Sequence, residues 1–190
     1  MAESDWSDSV ALHHRFPDIY FQGLRWELEH LDAFAIRHDP GLGFLVDVVI
    51  LFSCHCFTRS LQEDGRDLRL IPAQEIYDDG RERRVLCLHR YSLSRQFFPR
   101  LIQELRTRTI FLAPPGENFL TYEVVKDGQV EGYYVVFFEP EKDSKRKKRI
   151  LLRVQSAYFV EALTKRQRLA GKVTFDSLMK ATYLGRKIRG

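Results

Sequence analysis

No apolar run in this sequence approaches the ~18–20 residues that a helix needs to cross a membrane. Cysteine is scarce: there are three in 190 residues, and two of them, Cys54 and Cys56, are separated by one position, so all three cannot pair. The opening MAESDWSDSV is acidic and has neither the basic start nor the apolar middle of a secretory signal. Together these absences point to a reducing cytoplasm and to no membrane partner. A glycine-rich phosphate loop is also missing, because GLG at 41–43 precedes a strand pattern rather than a helix. The G-x-S-x-G elbow of serine hydrolases is absent as well. ATPases, dinucleotide enzymes and elbow-type hydrolases are therefore set aside. There is no internal repeat, and KDSKRKKR is the one low-complexity piece.

What is present suits a soluble globular protein. The chain is 44% apolar and 29% charged, with 14 Phe and 8 Tyr to build a core. The formal charge of +4 conceals a polarity along the chain. Residues 1–141 hold 15 Lys/Arg against 23 Asp/Glu, whereas residues 142–190 hold 15 against 3. Two readings stand side by side: a polyanion such as RNA bound by the basic third, or a solvated basic face matched to an acidic partner protein or to the chain's own front half. On the first reading the phosphate contacts fall on Lys145, Arg146, Lys147, Lys148, Arg149, Arg153, Lys165, Arg166 and Arg168.

The hydropathy pattern predicts an α+β fold. Its expected parts are an antiparallel or mixed sheet of about five strands, a C-terminal three-stranded meander and two main helices. Residues 1–16 read as a flexible N-terminal arm and 17–190 as a single domain whose basic C-terminal third is 142–190. Leu24, Trp26 and Leu28 alternate with Arg25, Glu27 and Glu29, a half-buried strand across 19–31. FLVDVVILFSCHCF at 44–57 reads as the strongest strand. Leu93, Phe97, Leu101 and Leu105 recur every four residues, so 85–106 turns into an amphipathic helix, kinked at Pro99 or starting near Phe98. The meander is FLTYEVV, YYVVFFE and RILLRVQSAYFV. In the last helix Thr174 caps and Gly185 fits the C′ position. DIYFQG at 18–23 resembles a tag-removal protease site, but Pro17 stands where an acidic residue is usual, and the segment reads as native.

The unusual stretch is SCHCFTRS at 53–60, where a hydrophobic strand ends in groups that titrate, coordinate metals or grip phosphate. On a regular strand Ser53, His55, Phe57 and Arg59 share one face, and Cys54, Cys56 and Thr58 the other. The second face is apolar upstream, so the thiols most simply extend the core. A sharper alternative is a zinc set of Cys54, Cys56, Cys87 and His89, although thiols two apart on a strand lie ~6.5–7 Å from each other and the chain would have to bend. Otherwise no cofactor is expected. The first face offers an imidazole and a guanidinium. With His89, Arg90, Ser156 and Tyr158 from other strand ends, these would form a polar cleft without carboxylates. Such a cleft suits phosphodiester chemistry that needs no metal.

S-x-H-x-F-T-R at Ser53–Arg59, R-Y-x-L-S at Arg90–Ser94, N-F-L at Asn118–Leu120 and Q-S-A-Y at Gln155–Tyr158 occur in that order. The string resembles a family of small bacterial and prophage proteins labelled heat-shock or stationary-phase growth adaptation proteins. That resemblance implies a bacterial cytoplasmic or mobile-element setting and covers roughly 44–185. The order of elements also resembles the RelE/barnase-type ribonuclease fold, which implies His55, Arg59, His89, Arg90 and Tyr158 as acid–base and phosphate-binding groups. Two functions are expected in consequence. One is a toxin-type, metal-independent endoribonuclease, with a cognate antitoxin or defence partner. The other is a non-catalytic module that holds nucleic acid or protein through its basic third.

Overall fold

The computed structural model describes residues 15–113 and 117–187, and is α+β. The 1–14 part of the expected arm lies outside the described residues. Of its last two positions, Phe16 packs edge-on against the Phe57 ring at 5.2 Å, and the exposed Arg15 pairs with Asp32 at 3.3 Å.

The predicted first strand is a hairpin, β1 (Ile19–Phe21) and β2 (Leu24–Trp26). Gln22 and Gly23 both take positive φ, 52° and 76°, which two-residue hairpin turns require. DIYFQG is thus folded into the core through Phe21, and the Trp26 indole lies flat on Tyr91 at 4.4 Å between ring centres. The turn also ends the alternation early, so Leu24 is exposed while Trp26 and Leu28 are buried.

The central sheet has seven strands rather than five. Its members are β3 (Phe34–His38), β4 (Val46–Phe52), β8 (Ile110–Ala113), β9 (Glu117–Lys126), β10 (Gln129–Lys142), β11 (Arg149–Val160) and β12 (Gly171–Val173), in the order β12-β8-β9-β10-β11-β4-β3. The meander β9–β10–β11 forms as its turn residues and alternation predict. β4 then joins β11 in parallel, and every other pairing is antiparallel. A smaller sheet, β5 (Thr58–Arg59), β7 (Arg83–Leu86) and β6 (Ile76–Asp78), sits beyond the end of β4.

Among the described residues the helices are α1 (Leu61–Asp64), α2 (Leu88–Glu104), α3 (Lys165–Arg168) and α4 (Phe175–Leu184). α2 starts well before Phe98 and runs through Pro99. Tyr91, Leu93, Phe97, Phe98 and Leu101 bury one stripe of it against the sheet, and this packing outweighs the hydrogen bond that proline removes. In α4 the Thr174 side chain accepts from the Ser177 amide and Gly185 closes the helix at φ 64°, as the sequence predicts.

Candidate functional site

The site begins where β4 leaves the sheet. The Ser53 amide donates to the Val154 carbonyl at 3.1 Å, and its hydroxyl donates to the Gln155 carbonyl at 2.5 Å. At that level β11 carries a bulge: Phe138 pairs with Val154 but Phe137 with Ser156, leaving Gln155 without an opposite residue on β10. Bulges re-aim side chains and end ladders. Here the alternation slips by one, so Val154 and Ala157 both enter the core and Ser156 is left off it. Val154 and Ser156 therefore do not share a face as a regular strand would have them do.

With the parallel ladder ended, the chain does not continue as a strand to Phe57. It makes one tight turn at Cys54–Cys56, closed by the Phe57 amide to Cys54 oxygen and by the Thr58 hydroxyl donating to that same oxygen at 2.8 Å. The expected two-face division of 53–59 accordingly fails. Cys54, Cys56, Phe57 and Thr58 are all buried, while His55 and Arg59 are half-buried. Burial pushes both Cys54 and Cys56 up to about 12, so these thiols stay protonated and serve as core.

His55 opens on a cleft of about 980 Å³, whose polar wall includes Ser53, Tyr77, Asp79, Glu82, Gln155 and Ser156. Its Nε2 is hydrogen-bonded to the Glu82 carboxylate. Glu82 is held below the usual carboxylate range, first by this bond from His55, then by Arg84, with burial acting the other way. Arg84 is itself fixed: Nη1 donates to Glu82 at 3.0 Å and Nε to the Thr58 hydroxyl at 2.8 Å. The turn DDGRE presents the carboxylates. Asp79 Oδ1 accepts from the Arg81 and Glu82 amides at 2.8 and 2.9 Å, which leaves Oδ2 to accept from the Cys54 thiol at 3.6 Å. Burial raises Tyr77 to about 12, so its phenol keeps its proton. The arginines at the rim are Arg15, Arg81 and Arg153.

Of the catalytic candidates named from sequence, His55 and Ser156 line this cleft, as do Cys54 of the zinc set and Arg153 of the basic third. Arg59, Arg90, His89 and Tyr158 do not line it. Arg59 pairs with Asp64 at 2.5 Å. Arg90 is buried and spans three acceptors: the His55 carbonyl at 3.2 Å, the Thr58 carbonyl at 2.8 Å and Glu63 at 2.8 Å. Its guanidinium also lies 5.2 Å from the centre of the Tyr158 ring, which stacks on Phe137. His89 stands exposed on α2 with its ring edge-on to Phe159 at 5.8 Å. Among the described residues, the cysteine-containing group that converges is Cys54, His55 and Glu82, not the Cys54, Cys56, Cys87 and His89 set.

The basic residues divide between the two ends of β11. Lys145, Arg146, Lys147 and Lys148 form the exposed β10–β11 turn, whereas Lys165, Arg166 and Arg168 lie on α3, past the other end. Twelve residues of strand separate them, roughly 36–40 Å. Arg149 and Arg153 are committed to Asp143 and Glu141.

The cleft is not the carboxylate-free site expected, because Glu82 and Asp79 fall in a stretch whose composition reads as loop. Only the DDG turn hints at them, as it fixes where the chain reverses. Fold and site together define an α+β protein with a histidine–carboxylate cleft at the end of a parallel strand pair. More particularly, the chain belongs to the YjaZ family, whose family model matches residues 18–183. No curated protein and no solved structure matches the chain. No helix among the described residues is long and apolar enough to cross a membrane.

Proposed function

We propose that this protein is a metal-independent endoribonuclease of the bacterial cytoplasm, acting at the His55–Glu82 cleft. The observation that carries the reading is the imidazole held by a carboxylate on the wall of an open polar cleft. With Glu82 accepting from Nε2–H, the lone pair of the neutral ring lies on Nδ1, ready to take the 2′-hydroxyl proton. Attack of the 2′-oxygen on phosphorus then forms a 2′,3′-cyclic phosphate and breaks the P–O5′ bond. Arg81 at the rim offsets the charge that builds on the phosphorane. Tyr77, which keeps its proton to about 12, donates to the departing O5′. The two groups exchange their protons with solvent to reset. Ser53 and Ser156 supply hydroxyls for the nucleotide. A toxin-type role beside a neutralising partner fits this chemistry, as does the heat-shock or stationary-phase setting that the motifs imply.

The test is to incubate purified protein with total bacterial RNA, with and without EDTA. Cleavage should persist in EDTA and leave cyclic phosphate ends. His55→Ala should slow it by ~10²–10⁴-fold, the usual worth of a positioned acid–base group. Intact RNA across a wide range of protein concentrations overturns the reading. The exposed turn at Lys145–Lys148 favours the second reading, a module that holds nucleic acid or an acidic protein without cutting it. Salt-sensitive binding that survives His55→Ala, with no cleavage, would establish that instead.

A further inference from the structure

The cleft contains a second chemistry that proton transfer does not use. One ligand atom each from Cys54, His55 and Glu82 lie within 4.8 Å of one another. Thiolate, imidazole and carboxylate are the three ligand types that zinc takes, at ~2.0–2.3 Å. A fourth group stands beside the thiol, outside the converging three: Asp79 Oδ2 lies 3.6 Å from Cys54 Sγ. A tetrahedron with those bond lengths has a sulfur-to-oxygen edge of about 3.5 Å. The supporting contacts are also in place. Two backbone amides hold the other Asp79 oxygen, and Arg84, anchored on Thr58, holds the other Glu82 oxygen. Such outer contacts orient ligands before the metal arrives.

We infer that Cys54, His55 and Glu82 form a three-residue, zinc-class cation site beside Asp79 that silences the cleft when filled. The cation sends the thiol proton to solvent and binds the His55 Nε2 and Glu82 oxygen that now bond each other, the ring proton passing through solvent from Nε2 to Nδ1. The dyad can no longer accept a proton from substrate. The site is thus an inhibitory switch rather than a cofactor site, and the silencing half of the inference rests on the nuclease reading above. Harder cations such as magnesium are poorly served by a thiolate and an imidazole, so the switch responds to zinc and cobalt and not to magnesium.

Cobalt substitution tests the site directly. Full-length protein titrated with Co²⁺ should reach a plateau at one equivalent, with the intense visible bands of a tetrahedral ion and a near-ultraviolet thiolate-to-cobalt charge-transfer band. Cys54→Ser should abolish the charge-transfer band, while Cys87→Ser keeps it. Glu82→Gln, which preserves shape, should keep the band and weaken affinity at least tenfold in competition with a chromophoric chelator. A band that survives Cys54→Ser, or no retained equivalent of cobalt or zinc after gel filtration, overturns the site. One equivalent of zinc should slow RNA cleavage at least tenfold, with full recovery in EDTA. Bound zinc that leaves cleavage unchanged overturns the switch. RNA left intact in EDTA counts against the nuclease reading, while the cobalt spectrum reports on the metal site independently.

Discussion

Two arginine-rich regions of this protein differ in what their charge is committed to. Between residues 59 and 90 four guanidinium groups, Arg59, Arg66, Arg84 and Arg90, are tied to carboxylates of the same segment. Arg59 and Arg66 share Asp64 at 2.5 and 2.6 Å, Arg66 also reaches Glu75 at 2.7 Å, Arg84 holds Glu82, and Arg90 holds Glu63. They lock a segment of short strands and single turns that has little apolar surface of its own. In the basic third, Lys145, Arg146 and Lys147 stand in solvent on a turn. The first region uses its cations for shape, and that shape is what presents Glu82 to His55. The second keeps its cations for whatever approaches. Net charge along a sequence therefore misplaces the working arginines, because the acidic front half is where the geometry of the cleft is built.

The sharpest way to break this contrast is at Arg90. Its side chain is 9% exposed and satisfies two carbonyls of the 55–58 turn as well as Glu63. Arg90→Met takes the donor from the two turn carbonyls, while Glu63, 49% exposed, regains water, so stability should fall by ~2–4 kcal/mol, read from the urea midpoint. RNA cleavage at temperatures where the variant stays folded should also fall, because His55 hangs from the turn that Arg90 holds. A variant as stable as the parent would show that the turn is held by other means.

A smaller effect is expected in acid. Asp64 is drawn from its ordinary 3.8 down to about 2, first by the hydrogen bond from Arg66, with burial opposing and Arg59 assisting. A depressed carboxylate stabilises the fold fully above its unfolded pKa and loses that contribution as pH falls through the folded one. Stability should therefore decline between about pH 4 and pH 2, and the decline should be shallower in Arg66→Ala, where the largest cause is gone. Parallel pH–stability curves for parent and variant would remove Asp64 from the account.

How much of this the sequence makes legible depends on where each signal lives. The meander and α4 can be read because period-two alternation, short turns, the Thr174 cap and the Gly185 stop are local. The hairpin at Gln22-Gly23 cannot, since Gln-Gly is a weak turn signal and the apolar pattern runs on past it. The end of β4 is obscured for another reason: Cys54, Cys56, Phe57 and Thr58 are all buried, so no polar face reports the bend. The bulge at Gln155 leaves no mark in the alternation until its partner strand is known. His55 stands out by type, but its carboxylate lies 27 residues away, brought back only by the pairing of β5 with β7. A site assembled across two sheets has no sequence spacing to find.

The smallest effect on the fold should come from the exposed turn, and it tests the other half of the contrast. The turn is held from beneath. Asp143 is buried, pairs with Arg149 and accepts from the Lys145 amide at 2.7 Å, and Lys148 takes the positive φ of 56° that closes the loop. None of this uses the side chains of Lys145, Arg146 or Lys147. Replacing these three by serine should therefore change stability by no more than ~0.5 kcal/mol. RNA affinity should nevertheless drop, and the slope of log K against log salt should flatten by up to about 2, at ~0.7 for each single-strand phosphate that the turn no longer neutralises. Cleavage of a dinucleotide too short to reach the turn should be unaffected. An unchanged salt slope would move the RNA path to Lys165 and Arg166 past the far end of β11, since one short strand of nucleotides cannot bridge both ends at once. That outcome would leave the turn as surface charge only, and the contrast would then lie between the inward-tied arginines and α3 instead.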